Sequence, residues 1–330
     1  MKNQSLWTKL FLVLMLVFAV GLTACQGEGE TNEQTDEPTE ESETEEQTNE
    51  STEESSDESV TLTDKAGEEV TIEGEVDRIV SVIPSATEIV YAVGAGDQVV
   101  GVSEWADYPE EVFEVEETVG DQNLSIEKIV ELEPDVVIAD LNNADDLEAM
   151  RSAGLNVVTL GSQSLEEVYE DIELVGQATG QTEQAEQIVN EMEMKVEEVT
   201  QAVSEVPEEE RKSVWMEVGP ELYSGGEGSF LHELITLAGG ENIIADQEGW
   251  PQVSEEVVIE RNPDVIITTY GYYTDDVTET VLERSGWDSI AAVENEEVYD
   301  IHNDTVSRPG PRLVDGLEEI ASILYPEYVE

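Results

Sequence analysis

Hydrophobic and polar positions follow one arrangement twice along this chain. Ser125-x-Glu127-x-x-x-Glu131-x-x-Pro134-Asp135-Val136-x-Ile138 returns 129 residues later as Ser254-x-Glu256-x-x-x-Glu260-x-x-Pro263-Asp264-Val265-x-Ile267. Ile129 and Val130 in the first copy are answered by Val258 and Ile259 in the second. Each copy predicts a short helix opened by a serine N-cap, ended before proline and followed by a buried strand. Upstream, Glu88-Ile-Val-Tyr-Ala-Val-Gly94 is echoed by Glu233-Leu-Ile-Thr-Leu-Ala-Gly239, a helix with a glycine C-cap. The units keep the same order in both halves. That predicts two similar α/β lobes with a cleft between them, a clamp for a small ligand.

The remaining pattern fills in the lobes. Residues 59–73 alternate apolar and polar around Lys65-Ala-Gly67, a hairpin leading into the first lobe. Arg78 to Ile83 predicts a buried strand broken by Pro84, and Ser85-Ala-Thr-Glu88 a capping box opening a helix to Val93. A strand at 98–102 leads into the aromatic loop Ser103-Glu-Trp105-Ala-Asp-Tyr108-Pro109. A helix near 145–153, a strand at 156–160 and a helix at 164–178 follow the first repeat copy. Such alternation argues for a parallel, doubly wound sheet. Gln181 to Val206 has no Gly or Pro, and Ala185, Ile188, Val189, Met192, Val196 and Val199 recur at helical spacing. It reads as one helix of roughly 38 Å, a stiff strut that permits modest hinge motion. The second lobe has strands at 213–218 and 297–301, helices at 229–238 and 311–324, and the second repeat copy at 254–269. The organisation expected is an N-terminal lobe at 59–180, a linking helix at 181–206 and a C-terminal lobe at 207–330.

The start of the chain is of another kind. Lys2 and Lys9 precede the apolar run Leu10 to Val20, which is too short for a comfortable membrane span and has the layout of a secretory signal. Leu22-Thr23-Ala24-Cys25 resembles a bacterial lipobox, so residues 1–25 are expected to be cleaved before Cys25 and the domain held by lipid on the extracytoplasmic face of the cell membrane. Cys25 is the only cysteine, which excludes an intramolecular disulfide. Residues 26–58 hold 15 acids and no Lys or Arg. They read as a disordered acidic tether, roughly 30 Å across as a coil and about 110 Å when extended. Residues 59–330 carry 65 acids against 11 Lys and Arg, a net charge of −54 spread through the helices. This reads as a solvated acidic surface in preference to an acidic partner-binding face, and its field excludes nucleic acid as a partner.

Signatures of catalysis are missing. The sequence has no H-E-x-x-H, cysteine cluster or G-x-S-x-G. His232 and His302 lie far apart without motif carboxylates, so no metal site and no cofactor of the protein's own is expected. Ser224-Gly-Gly-Glu-Gly228 lacks the lysine of a phosphate loop and reads as a flexible loop. Aromatic residues gather in loops placed to rim the cleft: Trp105 and Tyr108, Tyr223, Trp250, and Tyr270, Tyr272 and Tyr273. Tyr108 and Trp287 read as core, whereas Trp250, between Gly249 and Pro251, is poorly placed for packing. Arg308 and Arg312 share the loop Asp304-Thr-Val-Ser-Arg308-Pro-Gly-Pro-Arg312. Each either pairs with a neighbour such as Asp304 or offers a donor fork to ligand oxygens.

Residues 76–327 resemble the class III substrate-binding proteins of ABC importers, the iron-siderophore and vitamin B12 group. The resemblance rests on Arg78-Ile-Val-Ser-Val-Ile-Pro-Ser-Ala-Thr-Glu88, Gly101-Val-Ser-Glu-Trp-Ala-Asp-Tyr-Pro109, the two repeat copies and the segment Arg308 to Arg312. It implies two Rossmann-like lobes joined by one long helix, a ligand cleft between them, and a monomeric binding protein rather than an enzyme or adhesin. Trp250-Pro-Gln-Val-Ser254 and the Trp105 loop are most similar to corrinoid-binding members. By that likeness Trp105, Tyr223, Trp250, Asp304 and Arg308 line a site for cobalamin, with ferric siderophore and haem as alternatives. Glu127 and Glu256, equivalent in the two repeats, would dock on an ABC permease. Where a corrinoid-binding relative has two further tryptophans near its cleft, this chain has Asp121 and Asp140.

Overall fold

The computed structural model describes residues 59–120 and 123–329. The signal segment with Cys25, the acidic stretch 26–58 and Asp121 lie outside the described residues. The chain enters through an antiparallel hairpin of β1 (Ser59–Thr63) and β2 (Glu69–Glu73), with Leu62 opposite Val70. Leu62, Val70 and Ile72 are buried, and the alternating polar residues face outward. The Asp64 carboxylate accepts from the N–H groups of Ala66 and Glu68 within the turn and from Thr159 N–H and Arg151 in the first lobe. One buried acid therefore shapes the turn and fastens the hairpin.

The first lobe consists of β3 (Ile79–Ser81), α1 (Pro84–Ala92), β4 (Val99–Val102), α2 (Ile126–Glu131), β5 (Val136–Asp140), α3 (Ala144–Ser152), β6 (Val157–Leu160) and α4 (Leu165–Ala178). Its four strands are parallel in the order β4-β3-β5-β6. Helices cover both faces, which is why β5 is buried at every position and reads as a continuous apolar run. The predicted capping box does not form. Pro84 already occupies the first turn of α1, with Ile83 at the N-cap position and no side-chain cap. Ser85 and Glu88 thus lie inside the helix, and Glu88 is free to turn elsewhere.

A single helix, α5 (Thr182–Val203), then runs between the lobes, packed on α4 through the close approach of Gly176 and Ala185. It is 22 residues long. Ser204 to Val206, expected within it, instead form a closing turn in which Val206 N–H reaches Val203 O ahead of Pro207.

The second lobe comprises β7 (Ser213–Glu217), α6 (Phe230–Leu237), β8 (Glu241–Asn242), α7 (Glu255–Arg261), β9 (Val265–Thr268), α8 (Val277–Leu282), α9 (Ala291–Glu294), β10 (Val298–Asp300), α10 (Asp304–Ser307) and α11 (Leu313–Leu324). The sheet is again parallel, in the order β10-β9-β7-β8. β8, α8, α9 and α10 were not announced by the hydrophobic pattern.

The repeat extends to the backbone. Glu133 and Asn262 both take left-handed conformations, φ 46° and 45°, between helix and proline. Asp135 and Asp264 then accept backbone N–H groups at the start of the neighbouring strand: Asp135 from Asp77 and Arg78, Asp264 from Ser213, all at 2.9 Å. The repeated spacing of proline and aspartate is thus a device for starting β3 and β7 in register. Gly94 and Gly239 end α1 and α6 with φ 86° and 79°, a conformation in which a Cβ would be strained. Ser125 and Ser254 stand at the N-cap positions, but neither side chain caps its helix. Both are exposed, so solvent can satisfy the first-turn N–H groups. The N–H of Glu256 and the Ser254 hydroxyl instead hold the Glu256 carboxyl below its ordinary pKa.

Candidate functional site

In a parallel sheet every strand ends on the same edge, and that edge carries the loops that meet ligands. In the first lobe these loops follow β3, β4 and β5; in the second they follow β7, β9 and β10. The two edges face each other, because Arg308, just after α10, contacts Glu88 of α1 and Asp107 in the loop after β4. The sequence separation is about two hundred residues in each case, so the contact ties the second lobe to the first.

Trp105 is 65% exposed and borders a hollow of about 600 Å³ with Val82, Ile83, Pro84, Asn142 and Asn143. Its backbone N–H donates to Ser103 Oγ at 3.2 Å, which bends the loop and turns the indole outward. Opposite sheet edges therefore supply different aromatics, since Tyr223 follows β7 and Trp250 precedes α7. The structure brings these two together. Tyr223 and Gln252 form a β-bridge, and Ser224 N–H donates to Pro251 O at 3.1 Å. Both rings stay exposed, at 42% and 45%.

The glycine-rich segment beside them is not the flexible loop its composition suggested. Gly226 N–H donates to Gly249 O and Glu227 N–H to Gln247 O. A Cβ on Gly226 would collide with the Gln247 carbonyl oxygen. Glycine is needed there for close approach, and the result is a fixed platform.

Two other aromatics differ from expectation. Tyr108, read as core, is 44% exposed, and the Arg312 guanidinium lies over its ring at 4.0 Å. A cation on its face replaces apolar packing. Tyr270, read as part of the rim, is buried, and its hydroxyl donates to Glu217 Oε1 at 2.6 Å. Only Tyr272 and Tyr273 of that trio reach the surface, edge to face with centroids 4.8 Å apart. Trp287 is fully buried, as expected.

Charged groups converge where the lobes touch. α10 places Asp304 and Arg308 four residues apart, and Asp304 Oδ1 meets Arg308 Nε at 3.1 Å. Arg308 Nη1 also donates to Asp107 at 2.6 Å and to Glu88 at 3.1 Å. Arg312 grips Glu88 with Nε at 2.8 Å and Nη2 at 2.6 Å, and lies 3.5 Å from Asp304. The Glu88 side chain is 2% exposed. Burial opposes the charge on both arginines, yet the surrounding carboxylates raise their pKa further. Burial likewise works to raise the Asp107 carboxyl, but the hydrogen bond and charge of Arg308 hold it below its ordinary value. Pairing with a neighbour therefore holds for both arginines, with Glu88 rather than Asp304 the main partner of Arg312.

Glu88 and Asp107 belong to this cluster without having stood out in the sequence as site residues. One signal was available for Glu88: it is the only charged residue between Ile79 and Gly96. A lone acid in an apolar helix needs a buried cation.

Residues 79–305 match the family model described as periplasmic binding protein. The chain belongs to the periplasmic binding protein family. It is 35% identical over 333 residues to an uncharacterized ABC transporter substrate-binding lipoprotein of Bacillus subtilis, covering 99% of this chain and 98% of that protein. It is 32% identical over 252 residues to the vitamin B12-binding protein of Vibrio cholerae, covering 75% and 89%. A crystal structure of a possible iron-binding (periplasmic solute-binding) protein from Staphylococcus epidermidis superposes with a TM-score of 0.68 at 33% identity, covering 76% of this chain and 99% of that one.

As a periplasmic binding protein the chain is a solute carrier in an ABC transport system rather than a catalyst. Among the described residues no three His, Cys, Asp or Glu are grouped to hold a metal ion. His232 Nδ1 lies 3.3 Å from Asn242 Nδ2, and His302 Nδ1 accepts from Asp304 N–H at 3.3 Å. Asp140 is buried and accepts from Asn142 N–H at 2.8 Å, so it caps a turn at the mouth of the first lobe. Burial raises its pKa. Glu127 and Glu256 are exposed in the first turns of α2 and α7. Among the described residues, no helix is long and apolar enough to cross a membrane.

Proposed function

We propose that this periplasmic binding protein captures cobalamin between its lobes and delivers it to an ABC permease. The observation that carries the reading is the set of exposed aromatics on the two facing sheet edges, Trp105 on one and Tyr223 with Trp250 on the other. Flat apolar faces of this kind cover a macrocycle at little entropic cost. Asp304 and Arg308 supply polar contacts to its amide side chains. The chelate already satisfies its metal, so the protein need not provide a ligand. The similarity to the Vibrio cholerae vitamin B12-binding protein supports this choice. The likeness to a possible iron-binding protein supports ferric siderophore as the second reading; haem stands third, since Tyr270 is engaged by Glu217. Tryptophan-fluorescence titration with cyanocobalamin, a ferric hydroxamate and haemin tests the choice. Quenching by cyanocobalamin at the lowest concentration is expected, and tight binding of either alternative without a cobalamin response would overturn it.

The lipobox at Leu22 to Cys25 supports a lipid anchor on the extracytoplasmic face of the membrane, in keeping with the Bacillus subtilis relative being named as a lipoprotein. Replacing Cys25 with serine is expected to move most of the protein from the membrane fraction to the medium. Retention in the membrane would contradict the anchor. The exposed, repeat-related Glu127 and Glu256 serve as two docking acids, one for each half of a permease. Reversing both charges, Glu127→Lys with Glu256→Lys, is expected to abolish uptake while ligand affinity in solution stays within about twofold, because like charges would then meet at the permease. A parallel loss of affinity would assign them a structural role instead.

A further inference from the structure

We infer that the cleft selects neutral or cationic chelates and excludes anionic ones, and that Asp107 enforces the selection. The inference deepens the reading of the protein as a chelate carrier and rests on it. Where the lobes meet, two guanidiniums face three carboxylates, so the cluster carries a surplus negative charge. Four of the five Arg308 N–H groups are already engaged: Nε by Asp304, the two on Nη1 by Glu88 and Asp107, and one on Nη2 by Asp107 at 3.4 Å. That leaves a single Nη2 N–H for a neutral acceptor and no pair for a carboxylate. Arg312 is held by Glu88 and covered on one face by Tyr108. An incoming carboxylate or catecholate finds no free fork. It would have to displace Asp107 and leave that acid beside Glu88, Asp304 and its own charge.

Among the described residues no other Lys or Arg joins this cluster, and the one imidazole beside it, His302, lies 3.8 Å from Asp304. Lys65, Lys128, Arg151, Lys195, Arg261 and Arg284 are each paired with acids of their surroundings, and Arg78 donates to Leu132 and Glu133 carbonyls. Arg211 and Lys212 precede β7 and so lie at the opposite edge of the sheet. The aromatic platforms are flanked by acids instead: Asp145 and Asp146 near Trp105, and Glu221, Glu227 and Glu248 near Tyr223 and Trp250. A neutral amide suits this arrangement. Its N–H can donate to Asp107, whose side chain is 53% exposed, while its carbonyl accepts from Arg308, and the charge balance is unchanged.

Calorimetric titration of the purified protein at low and near-physiological salt tests the inference. The probes are cyanocobalamin (neutral), ferrioxamine B (cationic), a ferric tris-catecholate (anionic) and haemin (two carboxylates). The better of the first two is expected to bind at least about a hundredfold more tightly than either anion, as like-charge juxtaposition in a cleft requires. Asp107→Asn, with Asp107→Ser as a second variant and thermal melting to confirm folding, is expected to narrow that ratio by about tenfold or more. An anionic probe bound by the native protein within about tenfold of the best neutral or cationic one would overturn the inference, as would an unchanged ratio in folded variants. Ferrioxamine binding without cobalamin binding would uphold the charge rule and remove cobalamin. Tight anion binding would remove the charge rule and leave chelate capture standing. No response to any probe would remove both.

Discussion

Replacing Arg284 with methionine is expected to lower the unfolding free energy by about 3–5 kcal/mol, the cost of leaving a buried charge without its partner. Glu217 ends β7 with no solvent exposure. Its Oε1 accepts from Arg284 Nη2 at 2.7 Å and from the Tyr270 hydroxyl at 2.6 Å. Its Oε2 accepts from Arg284 Nη1 at 2.8 Å and from Trp215 Nε1 at 3.0 Å. Arg284 also lies 4.2 Å from the centroid of the Trp287 ring. The bidentate pair is the charge balance of the second lobe's core. The double variant Glu217→Gln with Arg284→Met removes both charges and is expected to be less destabilised than Arg284→Met alone. Urea denaturation at neutral pH checks both statements. A loss below about 1 kcal/mol for the single variant, the range of an exposed pair, would contradict them. The consequence reaches the cleft, because Tyr270 anchors the turn that presents Tyr272 and Tyr273.

The second large effect concerns the aromatic platforms. Trp105→Ala and Trp250→Ala are each expected to weaken cobalamin binding by about thirtyfold, the range of a buried aromatic anchor of about 2 kcal/mol. Together they should cost at least about a hundredfold, with less than full additivity if both rings cover one ligand. Both side chains are exposed in the free protein, so stability should change little. Ligand affinity and thermal unfolding measured on the same preparations separate the two effects. Lost affinity with unchanged melting is the expected pairing, and a fall in melting temperature matching the affinity loss would count against a binding role.

Much of the fold was legible because it is written twice. The apolar spacing of Ile129 and Val130 against Val258 and Ile259, each followed by Pro-Asp, exposed two equivalent helix–strand units, and the backbone repeats even the left-handed Glu133 and Asn262. The long helix was legible because 22 residues give its apolar period room to repeat. β8, α8, α9 and α10 span 2, 6, 4 and 4 residues, too short for any period to show. Of the candidate site, Trp105, Tyr223 and Trp250 stood out as aromatics in loops, and all three are exposed. Glu88 was misread because local rules assign an acid near a helix start to capping, whereas its partners come from 220 and 224 residues away. Tyr108 and Tyr270 were exchanged for the same reason. A tyrosine's burial depends on which charge from another segment meets it, here Arg312 or Glu217, and neither contact leaves a mark on neighbouring residues.

If the facing sheet edges hold a corrinoid, cyanocobalamin must bind there and depend on both tryptophans. Residues 59–330, purified without the signal segment and tether, would be titrated with cyanocobalamin by calorimetry beside the Trp105→Ala/Trp250→Ala variant. One ligand per chain is expected for the native protein, and an affinity lower by at least about a hundredfold for the variant. No heat of binding to the native protein, or equal affinity in both, would contradict this.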